Sequence, residues 1–325
     1  MSQSKNILIA PLNWGLGHAV RCIPLIRKYV ENGDKVIIAS DGQALDFLRE
    51  EFPKLIFEQL PAYNIHYAKT SLSTKLKLML QVPKILKTAQ KERQITEELV
   101  DKYDIDLVIS DNRFGLRSNK AKSVYMTHQL RVLSGATTFL TTFLHRKIYK
   151  KYDEIWVPDF IENGGLSGKL GHINNSKLLI KYIGIQSRLK KIDIEKEYDL
   201  LAVLSGPEPQ RSLLEKELLE KLANYKGKTA LVCGVISEKK TKKQINGVDV
   251  YNYLTANDLE MLINASEKVI ARSGYTSLMD YYKLQKKMIL VPTPGQNEQL
   301  YLARYFQQKG LAVSQKQGKI FLKKP

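Results

Sequence analysis

The sequence predicts an α/β protein of two doubly wound, Rossmann-like domains facing one another across a cleft. Three observations predict it. Strand-type apolar runs alternate with helix-length amphipathic segments from Asn6 to Gly184, and the same alternation starts afresh at Leu200. A charged, polar link, Ser187–Tyr198, separates the two series. Glycine-containing loops follow directly on strand ends, where open α/β sheets hold their ligands. The expected domains are therefore 1–186 and 199–325, joined by 187–198.

In the first series, Asn6–Ala10 reads as a strand running into Pro11-Leu12-Asn13-Trp14-Gly15-Leu16-Gly17-His18. The next helix repeats Ala19, Ile23, Ile26 and Val30 at three- and four-residue steps and stops at Gly33. Val36–Ala39 is strand two, Ala44–Glu51 a helix ending before Pro53, and Leu55–Leu60 strand three. Tyr63–Lys102 is mostly helical, with a break or kink expected near Pro83. Asp106–Ser110, Ser123–Thr127, Glu154–Val157 and Lys181–Gly184 read as strands, and Thr137–Lys151 as a helix with a basic C-terminal end. In the second series, Leu200–Leu204, Ala230–Cys233 and Val248–Tyr253 are strands. Pro207-Glu208-Pro209 opens a helix to about Asn224, Glu238–Gln244 reads as a solvated turn, and Asn257–Ala265 as a helix.

A chain of 325 residues, 43% apolar, is long enough for two ordinary cores. No apolar run reaches the ~20 residues of a membrane span. The start MSQSKNILIAP enters a strand at once, and Cys22 and Cys233 lie far apart in apolar patterns. Both point to reduced thiols in a cytoplasmic protein. The formal charge of +18 calls for anionic partners. With no zinc-finger spacing or RNP signature, nucleic acid is not expected; nucleotide-sugars and anionic membrane faces are the alternatives.

The most informative stretch is Val269–Gln299. Val269–Ala271 and Met288–Val291 are strands, and the piece between them opens on Arg272-Ser273-Gly274. A strand passing through Ser-Gly into a helix offers free N–H groups and a positive dipole end to a phosphate. Asp280, two helical turns in, suits a ribose diol. After Pro292-Thr293-Pro294-Gly295, residues Asn297, Glu298 and Gln299 open the next helix with hydroxyl-binding side chains.

This pattern resembles the C-terminal half of glycosyltransferase family 28, the MurG-like enzymes of the two-domain GT-B fold. The resemblance implies a UDP-sugar donor, with Arg272, Ser273 and Gly274 at the diphosphate, Asp280 at the ribose, and Asn297, Glu298 and Gln299 at the sugar. Gly184-x-x-x-Arg188 is similar to the family's element whose Arg reaches the diphosphate, a task suited to a guanidinium's forked donors. Ser205-Gly206 matches its G-G-S loop, here followed by Pro207 and Pro209, and Leu254 the position whose backbone meets the uracil.

Gly15-x-Gly17-His18 reads three ways. As a dinucleotide fingerprint it has Val20 where a small residue belongs, although Asp41 sits where a ribose-binding acid would. As a Walker loop it lacks Gly-Lys-Ser/Thr. As an acceptor loop it resembles the family's G-x-G-G-H, in which the His acts as general base or positions the acceptor. Placement at a helix N-terminus lowers an imidazole's pKa and keeps His18 able to accept a proton. Asn13, Gly15, Gly17 and Arg21 would line the acceptor side, with Asp111 closing strand four and His128 and Gln129 closing strand five. The letters Gly17-His18-x-x-Arg21-Cys22 also resemble UDP-sugar hydrolases of nonulosonic acid biosynthesis, where the His activates water. Asp104-x-Asp106 imitates a metal-binding D-x-D but enters strand four at the wrong end of the sheet, so no metal is expected.

The resulting expectation is an inverting, metal-independent transfer of an N-acetylhexosamine or hexose from a UDP-sugar to a glycan or lipid-linked acceptor. No other cofactor is expected. The different-class alternative is a basic, non-catalytic module for nucleic acid or membrane. Leu72–Gln90 and Thr137–Lys151 combine apolar and basic residues without an acid, which allows peripheral docking on an anionic membrane.

Overall fold

The computed structural model describes residues 4–64, 71–174, 177–235 and 239–322, with the backbone alone for 71–80 and 136. The chain divides into compact units Met1–Gln186 and Ser187–Pro325.

Unit one carries seven strands: β1 (Asn6–Pro11), β2 (Lys35–Ser40), β3 (Ile56–Gln59), β4 (Leu107–Asp111), β5 (Lys122–Met126), β6 (Glu154–Val157) and β7 (Ile180–Tyr182). They form one parallel sheet in the order β3-β2-β1-β4-β5-β6-β7. Helices α1 (Gly17–Glu31), α2 (Gly42–Glu51), α3 (Ser71–Tyr103) and α4 (Thr138–Tyr149) supply the crossovers. Strand side chains alternate between faces, and β1 displays this directly. Ile7 and Ile9 pack with Ala19, Ile23 and Ile26 of α1, while Leu8 and Ala10 pack with Leu99 and Val100 of α3. Because β1 is flanked by β2 and β4, the order in which strands are added reverses beside it, and a crevice opens beyond the ends of β1 and β4. Register places Pro11 opposite Asp111 there.

Unit two contains β8 (Tyr198–Val203), β9 (Thr229–Val232), β10 (Lys242–Ile245), β11 (Val248–Tyr251), β12 (Ser266–Ala271), β13 (Lys287–Leu290) and β14 (Ala312–Ser314). The order is β10-β11-β9-β8-β12-β13-β14, parallel except for the β10–β11 pair. Its helices are α5 (Gln210–Ala223), α6 (Ala256–Asn264), α7 (Tyr275–Lys283) and α8 (Asn297–Gln308). The switch point lies between β8 and β12, where Val203 pairs with Ala271 and Ala271 with Leu290. Three loops therefore leave the sheet side by side.

Of the break or kink expected near Pro83, a break does not occur: helix α3 continues through it, since a ring inside a helix removes one ladder bond and need not end it. The structure departs from the sequence expectation in two further places. The charged segment expected as a turn over Glu238–Gln244 enters an antiparallel edge strand at Lys242, residues 236–238 lying outside the described residues. Its signal was Asn246-Gly247: both have positive φ, 49° and 81°, as a two-residue hairpin turn requires. Strand β14 closes the other edge, after Gly310 (φ 70°) ends the preceding helix.

Candidate active site

In unit one the crevice gathers residues that are far apart in sequence. The Arg21 guanidinium grips Asp111 with both arms: Nε donates to Oδ2 at 2.7 Å, and Nη2 to Oδ1. His18 Nδ1 lies 3.1 Å from Asp111 Oδ1, and Arg21 Nη1 lies 3.1 Å from His128 Nδ1. Arginine can only donate, so His128 accepts at Nδ1. His18 Nδ1 also lies 2.9 Å from Arg21 Nη2, and in the tautomer that donates from Nδ1 the Asp111 carboxylate accepts that proton. That tautomer leaves His18 Nε2 as the basic nitrogen. A base oriented by a buried carboxylate is the arrangement that proton abstraction needs.

The electrostatics agree with that assignment. Burial raises the Asp111 carboxyl, but Arg21 and then His18 outweigh it, holding it below the ordinary carboxylate range. Burial is also the largest influence on His18, whose pKa falls below 6.5; Arg21 lowers it further and Asp111 opposes the fall. Only 13% of the His18 side chain reaches solvent, and Arg21 and Asp111 are buried at 2% and 0%.

Gly15 takes a left-handed φ of 69° in the loop that leads to His18. Gly17 is the first residue of α1, and no side chain caps that helix. Asn13 faces a different group: it donates to Asp41 Oδ2 at 3.1 Å and accepts from the Ala44 amide at 3.3 Å. Asp41 also accepts from Arg113 at 2.7 Å. The acid that could have served a dinucleotide ribose is therefore engaged within the fold. Arg113, fully buried, reaches Glu92 and the Pro61 carbonyl as well. Gln129 stands beside His128, with its backbone carbonyl accepting from Tyr149 at 2.9 Å. Asp106 bonds the Asn6 amide at the opposite end of the sheet.

In unit two, the loops after β8, β12 and β13 bring Ser205, Gly206, Arg272, Ser273, Gly274 and Gln299 together. Gly274 caps α7, and a Cβ built on it would meet nothing within 4 Å. Ser273 donates to the Gln299 carbonyl at 2.8 Å, and Gln299 Oε1 accepts the Thr293 amide at 2.8 Å. Arg272 turns its guanidinium inward, donating to the Val291 and Gln210 carbonyls at 3.1 and 2.7 Å. Burial lowers its pKa to about 10. The side chain thus braces the loops. The Glu208–Pro209 peptide is cis, and Arg211 pairs with Glu208 and Glu215.

Asp280 lies near the start of the unit, where burial raises its pKa to about 6 against the Ser187 hydroxyl, Arg188 and Lys283. Its Oδ1 is buried without a hydrogen-bond partner among the described residues. Gly184 belongs to unit one and Arg188 to unit two. Asn297 and Glu298 begin α8. Leu254 lines an open groove of about 880 Å³ with Tyr251, Tyr253, Met261 and Lys242. Among the described residues no group of three His, Cys, Asp or Glu side chains could hold a metal ion, and no helix is long and apolar enough to cross a membrane.

Sequence reasoning treated His18, Arg21, Asp111 and His128 as separate candidates and missed their single network, which also receives Cys22 Sγ at 3.7 Å from Asp111. It also missed Thr293, which reads in sequence as a turn residue between prolines.

Residues 206–321 match the model of the glycosyltransferase family 28 C-terminal domain. No curated protein matches the chain. Among solved structures, the glycotransferase of kitacinnamycin is similar at 13% identity and a TM-score of 0.64, over 98% of this chain and 88% of that one. MurG of Acinetobacter baumannii is similar at 12% and 0.59, over 98% and 87%. UGT2 of Phytolacca americana, complexed with UDP-2fluoro-glucose and pterostilbene, is similar at 14% and 0.63, over 96% and 85%. At these identities the likeness is one of fold, and that fold is GT-B.

Proposed function

We propose that the protein is an inverting, metal-independent glycosyltransferase. It moves an N-acetylhexosamine or hexose from a UDP-sugar to a hydroxyl acceptor, either lipid-linked or part of an envelope glycan. The observation that carries this reading is the Asp111–His18 pair clamped by Arg21 beside the glycine loop. His18 Nε2 removes the acceptor's proton as its oxygen attacks the anomeric carbon and the bond to the UDP oxygen breaks. Asp111 stabilises the imidazolium that forms. On the donor side, the first amides of α7 and the Arg188 guanidinium take the diphosphate charge, and neither has to reorganise as it develops. Asp280 accepts from the ribose hydroxyls; its buried, unpartnered oxygen supports that role. Glu298 and Gln299 read the sugar. The family match over the second unit and the ligand of the Phytolacca structure both support UDP as the carrier.

Asp280→Ala is expected to weaken UDP and UDP-sugar alike, because the ribose is common to both. Glu298→Gln is expected to weaken UDP-sugar and leave UDP within about 2-fold, by roughly one hydrogen bond to a charged group. Calorimetric titration of both ligands checks this. Equal losses in the Glu298 variant would remove that residue from the sugar subsite.

The hydrolase reading uses the same His18 on water. Incubation with the accepted UDP-sugar separates the two. A transferase releases UDP slowly until acceptor extract is added, whereas rapid release of free sugar, indifferent to acceptor, would establish hydrolysis.

We further propose that α4 meets an anionic membrane on the cytoplasmic side. Phe139, Leu140, Phe143 and Leu144 are 86%, 56%, 48% and 49% exposed on this helix. Arg146, Lys147, Lys150 and Lys151 follow at its C-terminal end, all exposed. An apolar face continued by basic residues suits the headgroup region, each cation contributing ~1 kcal/mol. The companion stretch Leu72–Gln90 lies in part outside the described side chains. Phe139→Glu with Phe143→Glu is expected to abolish flotation with phosphatidylglycerol vesicles at low salt. Wild-type protein that ignores such vesicles would end the proposal.

A further inference from the structure

Three of the seven buried polar atoms without partners among the described residues belong to the stretch from the end of β12 to the turn after β13. Arg272 Nε, Asp280 Oδ1 and Thr293 Oγ1 are all in this condition among the described residues. Arg272 and Asp280 belong to motifs visible in the sequence; Thr293 does not. Its residue is 2% exposed. Both of its backbone groups are occupied, the amide by Gln299 Oε1 at 2.8 Å and the carbonyl by the Gln296 amide at 3.2 Å. Gln299 is itself fixed, through the Ser273 hydroxyl and through Gln296 at 2.6 Å. Thr293 is thus held rigidly in place with only its hydroxyl unused.

That hydroxyl looks toward the loop after β8. A Cβ on Gly206 would lie 4.0 Å from Thr293 Oγ1, with nothing nearer. Ser205 and Gly206 are exposed, and Gly206 holds a φ of 105°, a backbone conformation that glycine adopts without steric cost. No described hydrogen bond uses either amide. A buried hydroxyl with no partner is destabilising, and the loop it faces carries two amides that no described hydrogen bond uses.

We propose that Thr293 is a positioning residue for donor binding. Its hydroxyl accepts the Gly206 amide when the Ser205–Gly206 loop closes over the donor's diphosphate, fixing the loop in the bound shape. The proposal rests on the reading of unit two as the nucleotide-sugar subsite. It deepens that reading by giving a residue outside the family pattern a task. Since the diphosphate is common to UDP and UDP-sugar, both should depend on it.

Thr293→Val keeps the shape and deletes the hydroxyl; Thr293→Ser keeps the hydroxyl. With UDP as the calorimetric probe of the full chain, the Val variant is expected to bind about 3- to 10-fold more weakly, the effect of one net hydrogen bond. Its unliganded melting temperature should be unchanged or higher, because an unsatisfied group has been removed. The Ser variant should bind within about 2-fold of wild type. Wild-type affinity in the Val variant would overturn the inference alone. So would equal weakening in both variants alongside a lowered melting temperature, the mark of a packing role. Failure of the wild type itself to bind UDP or a UDP-sugar would overturn the donor-site reading and this inference with it.

Discussion

His18→Ala is expected to lower turnover by about 10²–10⁴-fold while leaving UDP-sugar affinity within about 2-fold, since a general base acts on the barrier and not on donor binding. The pH profile adds a second check. Burial and Arg21 hold the His18 pKa below 6.5, so the imidazole is the neutral, proton-accepting form throughout the neutral range. Activity should therefore fall on the acid side along a limb lying below pH 6.5, and that limb should vanish in whatever activity His18→Ala retains. Asp111→Asn offers a finer test, because an amide oxygen still accepts the Nδ1 proton but carries no charge. The turnover loss should lie between wild type and His18→Ala, with the acid limb shifted.

Asp111→Ala has the largest expected effect on stability. It leaves the Arg21 guanidinium buried at 2% exposure with no counter-charge, a situation that costs about 3–5 kcal/mol. For a unit of this size the melting temperature should drop on the order of 10 °C. Arg21→Met added to Asp111→Ala should recover part of the loss, because the uncompensated charge is gone. The sign with pH follows from the direction of the shift. Asp111 has a folded pKa below its unfolded value, so its stabilisation is present above the unfolded value of 3.8 and is lost as pH falls through the folded one. Wild type and variant should converge in stability in strong acid. A gap that persists there would assign the loss to packing instead of charge.

The fold was legible because both series obey simple periodicities. The runs at Asn6–Ala10 and Val269–Ala271 are short and apolar, and glycine loops follow them at strand ends. Less legible was anything that depends on pairing across the sheet. Val248–Tyr253 was readable as a strand, but β10 is charged and exposed, and its local cue is the Asn246-Gly247 turn. The candidate site shows the same division. His18, Arg21, Asp111 and His128 could be picked singly from loop positions, yet their joining depends on Pro11 pairing with Asp111 across β1 and β4. Arg272 had the chemistry of a phosphate ligand in sequence, but the fold turns its guanidinium onto two carbonyls. Side-chain direction after a strand end is set by packing, which a motif does not encode.

The most direct measurement of the central claim is thermal unfolding of the full chain against UDP-, GDP-, dTDP- and CMP-sugars at ~100-fold saturation, where one bound ligand adds ~2.7 kcal/mol. A rise is expected with UDP and at least one UDP-sugar, retained at raised salt and absent with the other nucleotides. No rise with any UDP compound, together with binding to nucleic acid that collapses as salt increases, would contradict it and identify a basic binding module instead.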